Sequence, residues 1–294
     1  MRRVHHRLFV PAVAVVAIAA TVLALGRGGA RPTADRSPAE PTAPTSPTVD
    51  HRTLVRALET TRGVESGRLE VAFALIHLGH EADPRPGRRL PLALYRVAFD
   101  RRAGRVDVET DMSGAASAVG ARDSAAPVDL SVSARMVAVG DMVYAQGGPM
   151  AAALGRTPTD WVRVDRATFV GRPPNSDAGS LVLDPFGPFQ VLGDATAEAR
   201  VIGHDEIRGS PVTHLATRAG PAGSAAPLDV WVDADGVIRR LEIRLAGGAR
   251  AGAGALVTTV ELFDVDRPVD ITAPGAERWP GASPCGQTPM SHGR

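Results

Sequence analysis

Hydrophobic and polar positions along this chain change their period twice, and the changes divide it. Residues 8–25, LFVPAVAVVAIAATVLAL, are apolar without a single charge and follow Arg2, Arg3 and Arg7. Residues 27–49 are a Pro/Thr/Ser/Ala stretch in which Pro32, Pro38, Pro41, Pro44 and Pro47 favour extended, polyproline-like backbone. Asp50 then stands as the N-cap of a helix, HRTLVRALETTRG, that ends at Gly63. Its apolar stripe is Leu54, Val55 and Leu58, with Arg52, Arg56 and Glu59 in water.

From Gly67 the period falls to two. Leu69, Val71, Phe73 and Leu75 alternate with Arg68, Glu70, Ala72 and Ala74, which predicts a strand with one buried face. Segments 92–100 and 105–113 read as a hairpin, as do 128–139 and 142–146 about Gly140-Asp141, and 161–165 is a further strand. Five more strands follow at 199–209, 211–219, 227–234, 237–247 and 255–266, the clearest hairpin turning at Asp235-Gly236. Between the two sets, Asp184-Pro185 reads as N-cap and first residue of a second helix over 184–192, with Phe186, Phe189, Val191 and Leu192 before Gly193. Strands in blocks separated by helices predict one α+β domain and not βαβ units. An antiparallel sheet of about 10–11 strands cannot stay flat and must curl or close, and helices or side chains must fill the volume it encloses. The expected division is an N-terminal signal-anchor segment (1–26), a Pro-rich stalk (27–49), the folded domain (50–274) and a disordered tail (275–294).

The apolar run sets the compartment. Its eighteen residues would make a helix of roughly 27 Å, close to the ~30 Å hydrocarbon core, and the preceding arginines orient the rest of the chain outward. Ala24-Leu25-Gly26 also offers small residues to a signal peptidase. An uncleaved anchor is the preferred reading; cleavage would make the protein secreted.

Composition narrows the chemistry. A chain of 294 residues with 44% hydrophobic and 22% charged content leaves room after the stalk for one sizeable domain. A net charge of +1 argues against a nucleic-acid partner. One cysteine, Cys285, allows neither an intramolecular disulfide nor a CxxC zinc site. Every basic residue is arginine, and without lysine there is no Walker loop, no Schiff base and no SxxK nucleophile pair. Aromatic content of 4% leaves many inward positions to Ala, Val or Gly, which fill a wide concavity poorly and favour an apolar cavity.

Four segments carry a family resemblance: LVRALETTRGVESGRLEVAFAL, the MVYAQ…TDWVRVD element, the helix start LDPFGPFQVL, and VWVDADGVIRRLEIRL followed by VELFDVDRPVDITAP. Spanning most of residues 54–274, they resemble the LppX/LprG group of actinobacterial lipid-carrier lipoproteins, relatives in fold of the carrier LolA. The resemblance implies a half-barrel with helices on its concave side, an apolar pocket for acyl chains, and work at the outer face of the plasma membrane. The family is typically attached through a lipid on a cysteine after its signal sequence. Here no cysteine precedes Cys285, so residues 8–25 are expected to serve as the tether.

The expected function is therefore an extracytoplasmic, membrane-associated lipid-binding or lipid-transfer protein, with a lipid or glycolipid as ligand. The alternative is an envelope sensor or regulatory ectodomain that binds a protein partner. The seven residues before Leu8 are too few for a sigma-factor-binding or kinase domain. Val71, Phe73, Leu75, Phe186, Phe189, Leu192, Leu241 and Ile243 are the candidate acyl-pocket residues.

No cofactor, metal or catalytic activity is expected. His77 and His80 lie three apart on a strand and so face opposite sides. His204 and His214 flank an expected turn at Gly209-Ser210 and read as solvated hairpin residues, while Asp233-x-Asp235-Gly236 lacks the later bidentate acid of a calcium loop. Neither a GxSxG elbow nor an HExxH motif is present.

Overall fold

The computed structural model describes residues 47–77, 89–115, 133–147, 159–171, 177–195, 199–220, 225–246 and 254–275. The apolar run 8–25, the stalk up to residue 46, His80 and Cys285 lie outside them. Among the described residues no helix is long and apolar enough to cross a membrane.

Twelve strands form one sheet, in the order β1-β8-β9-β10-β11-β12-β2-β3-β4-β5-β6-β7. The first half of the chain supplies β1 (Thr48–Val49), β2 (Ser66–His77), β3 (Arg89–Asp100), β4 (Arg105–Asp111), β5 (Ala134–Val139), β6 (Met142–Gly147) and β7 (Trp161–Asp165). The second half supplies β8 (Ala199–Ile207), β9 (Ser210–Ala219), β10 (Ala226–Asp233), β11 (Ile238–Ala246) and β12 (Gly254–Phe263). All pairings are antiparallel, and the closing one joins β12 to β2, from Gly254 against His77 to Phe263 against Arg68. Strands β1 and β7 are the two edges, so the sheet is open. The two-residue β1, paired through Thr48 with Arg200 and Val49 with Ala199, starts the fold just before the expected boundary at residue 50.

Helix α1 (His51–Gly63) forms as its sequence dictates, with the Asp50 carboxylate accepting the Thr53 N–H at 3.1 Å. Its buried stripe is Leu54, Ala57, Leu58 and Thr61, a spacing of three, four and seven, while Val55 is only half-buried. Two short helices were not anticipated: α2 (Arg166–Gly171) and α3 (Asp177–Leu183). The expected helix over 184–192 is instead a 3-10 segment, Gly187–Asp194. The Asp184 cap is real, accepting the Phe186 N–H at 3.0 Å, but Pro188 has no N–H to give and the closing bonds span three residues, Phe189 to Phe186 and Ala195 to Leu192.

A flat sheet of twelve strands at ~4.8 Å spacing would be about 50 Å wide, far beyond the reach of these small helices. One core cluster nevertheless unites α1, α3 and the 3-10 segment with Val108, Met136 and Val143 from one arm and Leu215, Val230 and Leu241 from the other. The sheet therefore curls around its helices as a half-barrel. Val137, Tyr144 and Trp161 make a separate outer cluster, covered by Ile271 of the C-terminal segment.

Candidate functional site

The inner face is organised by strand register, because directly paired residues point to the same side. Val71 of β2 faces Val260, Val260 faces Leu241, Leu241 faces Val230 and Val230 faces Leu215. This row is buried throughout, from 0% exposure at Leu241, Val230 and Val260 to 3% at Leu215. One step along the strands the row is Phe73, Thr258, Ile243, Leu228 and Thr217, and the next is Leu75, Leu256 and Leu245. Phe73, Ile243, Leu75 and Leu245 are half-buried, and Leu90, paired with Leu75, is 37% exposed. Cover on the inner face thus thins toward the Leu75 end of β2.

Helical side chains explain the gradient. Phe186, Phe189 and Leu192 of the 184–192 region are 4%, 0% and 0% exposed and pack in one cluster with Leu54, Ala57 and Leu58 of α1. Phe186 meets Phe99 edge-on at 5.1 Å and lies 6.3 Å from Phe189. Toward the open end Phe73 and Tyr95 make such a ring contact, at 5.7 Å. All eight expected pocket residues therefore face the interior. Val71, Phe186, Phe189, Leu192 and Leu241 are closed core, whereas Phe73, Leu75 and Ile243 border the less covered end. Leu245 and Leu90 share that end; the first was readable from its strand alternation, the second only from its pairing.

Around β11 and β12 the outer face is polar and ion-paired. Glu242, 5% exposed, accepts from Arg89 at 3.1 Å and from Arg244 at 2.7 Å. Glu261 is partly buried, which alone would raise its pKa. Charge-assisted hydrogen bonds from Arg240 and Arg208 outweigh that and hold the carboxyl below its ordinary value. Arg208 also contacts Glu70 and stacks over the Phe263 ring at 3.9 Å, although its backbone is left-handed (φ 49°) in the tight β8–β9 turn with Gly209 (φ 81°). That turn lies one residue earlier than expected. His214 is not simply solvated: its ring stacks on Trp231 at 4.2 Å and Nε2 lies 2.9 Å from Asp229, while the Trp231 indole N–H donates to Asp205 at 2.8 Å. Asp233 closes the β10–β11 turn, accepting the Asp235 and Val237 N–H groups and the Arg239 guanidinium. Among the described residues no group of His, Cys, Asp or Glu side chains could hold a metal ion.

No protein-family model matches this chain, and no curated protein matches it. In structure it is similar to lipoprotein LppX of Mycobacterium tuberculosis, with a TM-score of 0.41 and 14% identity over 76% of this chain and 97% of that one. LprF of Mycobacterium bovis gives 0.44 and 15%, over 76% and 96% of the two chains. A LolA-superfamily protein from Nitrosomonas europaea gives 0.28 and 10%, over 79% and 99%.

Proposed function

We propose that this chain is an extracytoplasmic, membrane-associated lipid-binding or lipid-transfer protein that holds acyl chains against the inner face of its half-barrel. The observation that carries the reading is the apolar end of that face, where Phe73, Leu75, Ile243 and Leu245 remain half-buried and Leu90 is 37% exposed beyond the helical cover. Val71 and Leu241 form the floor beneath it, with Phe186, Phe189 and Leu192 on the helical side. Burying each CH₂ contributes roughly 0.8 kcal/mol, so a chain of about a dozen carbons gains on the order of 9 kcal/mol before ordering costs. Residues 8–25 hold the domain at the plasma membrane in this reading.

Native mass spectrometry of protein purified from a lipid-containing host, with uptake of a fluorescent fatty acid, tests the proposal. Bound lipid and saturable uptake are expected. Consistently ligand-free protein that takes up no fatty acid would reject acyl binding.

A further inference from the structure

Apart from the acyl reading, the opposite end of β2 and β3 carries a cavity of about 420 Å³ bordered by Arg62, Arg101, Arg105 and Arg166, with Phe186 and Asp184. Its volume falls within the roughly 300–1,000 Å³ of small-molecule sites. The arginines come from four elements: the last turn of α1, the β3–β4 turn, the start of β4 and the start of α2. Three are held by backbone carbonyls and not by acids. Arg101 donates to the carbonyls of Arg62 and Val64, Arg105 to that of Ile271 at 3.3 Å, and Arg166 to that of Gly140 at 3.5 Å. Among the described residues none of the four enters an ion pair. The one lining carboxylate, Asp184, already accepts the Phe186 N–H and the Gln190 side-chain N–H.

The contrast with the rest of the molecule gives this its meaning. A second cavity, about 380 Å³, is bordered by Arg208, Arg239 and Arg267, but each of these has a carboxylate partner, in Glu261, Asp233 and Asp264. At the first cavity arginines from four elements border one occupied carboxylate, with the Arg105 guanidinium turned to the Ile271 carbonyl on the outer side. Carbonyl bonds fix the side chains without neutralising them, which leaves N–H donors and net positive charge at one concave spot. Planar guanidinium forks match the geometry of phosphate oxygens and bind them by charge-assisted pairs of hydrogen bonds.

We infer that this cavity binds a phosphate-class anion, the phosphoester of a lipid headgroup or of a soluble phosphorylated compound. It lies about 30 Å along the strands from the open Leu75 end, at ~3.3 Å per residue, and shares only Phe186 with the residues named for the acyl face.

The test uses the full chain in neutral detergent at low salt, titrated calorimetrically with sn-glycerol 3-phosphate and, separately, with dihexanoylphosphatidylglycerol. Saturable binding of at least one is expected. The double change Arg62→Gln with Arg166→Gln should weaken it about tenfold or more, consistent with loss of charge-assisted pairs. Arg102→Gln, at a neighbouring side chain that is 83% exposed and paired with Glu65, should leave it unchanged. Binding of the lipid alone assigns a headgroup, and binding of the soluble ester alone or of both assigns the phosphoester itself. Should the double variant lose its fold, Arg62→Gln alone replaces it, since that side chain donates no hydrogen bond among the described residues. No saturable binding of either compound at millimolar concentration, or binding indifferent to the Arg62 and Arg166 changes, overturns the inference. A failed fatty-acid uptake would leave this result untouched.

Discussion

Thr61 joins the helix to the sheet through one hydroxyl, and replacing it isolates that link. The side chain is 0% exposed, donates to the Ala57 carbonyl at 2.7 Å, and accepts the N–H of Ile238, 177 residues away, at 2.9 Å. Ile238 is itself 0% exposed and opens β11 just after the Asp233 turn, so its N–H has no access to water as a substitute. Thr61→Val keeps shape and volume, creates no cavity, and removes only the hydroxyl, the acceptor for Ile238 and the donor to Ala57. A buried donor left unpaired costs about 1–3 kcal/mol. For a domain of this size each kcal/mol shifts Tm by roughly 2–4 °C, so a fall of about 4–8 °C is expected at the middle of the range. Thr61→Ser retains the hydroxyl and loses one buried methyl, a cost of about 1 kcal/mol. Urea unfolding followed by circular dichroism, with unchanged m, separates the two. Valine within about 0.5 kcal/mol of wild type would refute the assignment of this bond as the helix–sheet link.

Leu241→Ala, at 0% exposure in the fully buried row, should cost about 2–5 kcal/mol in the same unfolding assay. Bulk at Leu241 therefore tests packing, whereas Ile243→Arg at the half-buried end should abolish fatty-acid uptake with far less loss of stability. Glu261 gives a pH signature. Its folded carboxyl sits below the ordinary 4.5, so its contribution is complete above about pH 4.5 and is lost as pH falls through the folded value. Glu261→Gln should accordingly be less stable than wild type at neutral pH, with the gap narrowing in acid when both are unfolded across a pH series.

Local pattern determined the elements. Alternation fixed the faces of β2 and β11, the Asp50 cap began α1 where it was expected, and two blocks of strands separated by helices appeared in that order, because period, caps and turns are encoded within a few residues. The resemblance to the LppX/LprG group rested on the same segments. Local pattern could not say that Thr61 is core, since a threonine between polar neighbours becomes buried only when a strand end from residue 238 arrives above it. Nor could it separate Leu241 from Ile243. Both point inward, and only the helical cover over β11, to which α1 contributes, decides which one is sealed. The arginine cavity is the extreme case: its four residues spread from position 62 to 166 and are unremarkable in a chain with 33 basic residues. Charge compensation depends on distance in space, so the sequence determined which faces are apolar, and the tertiary structure decided which apolar positions stay open and which charges stay unpaired.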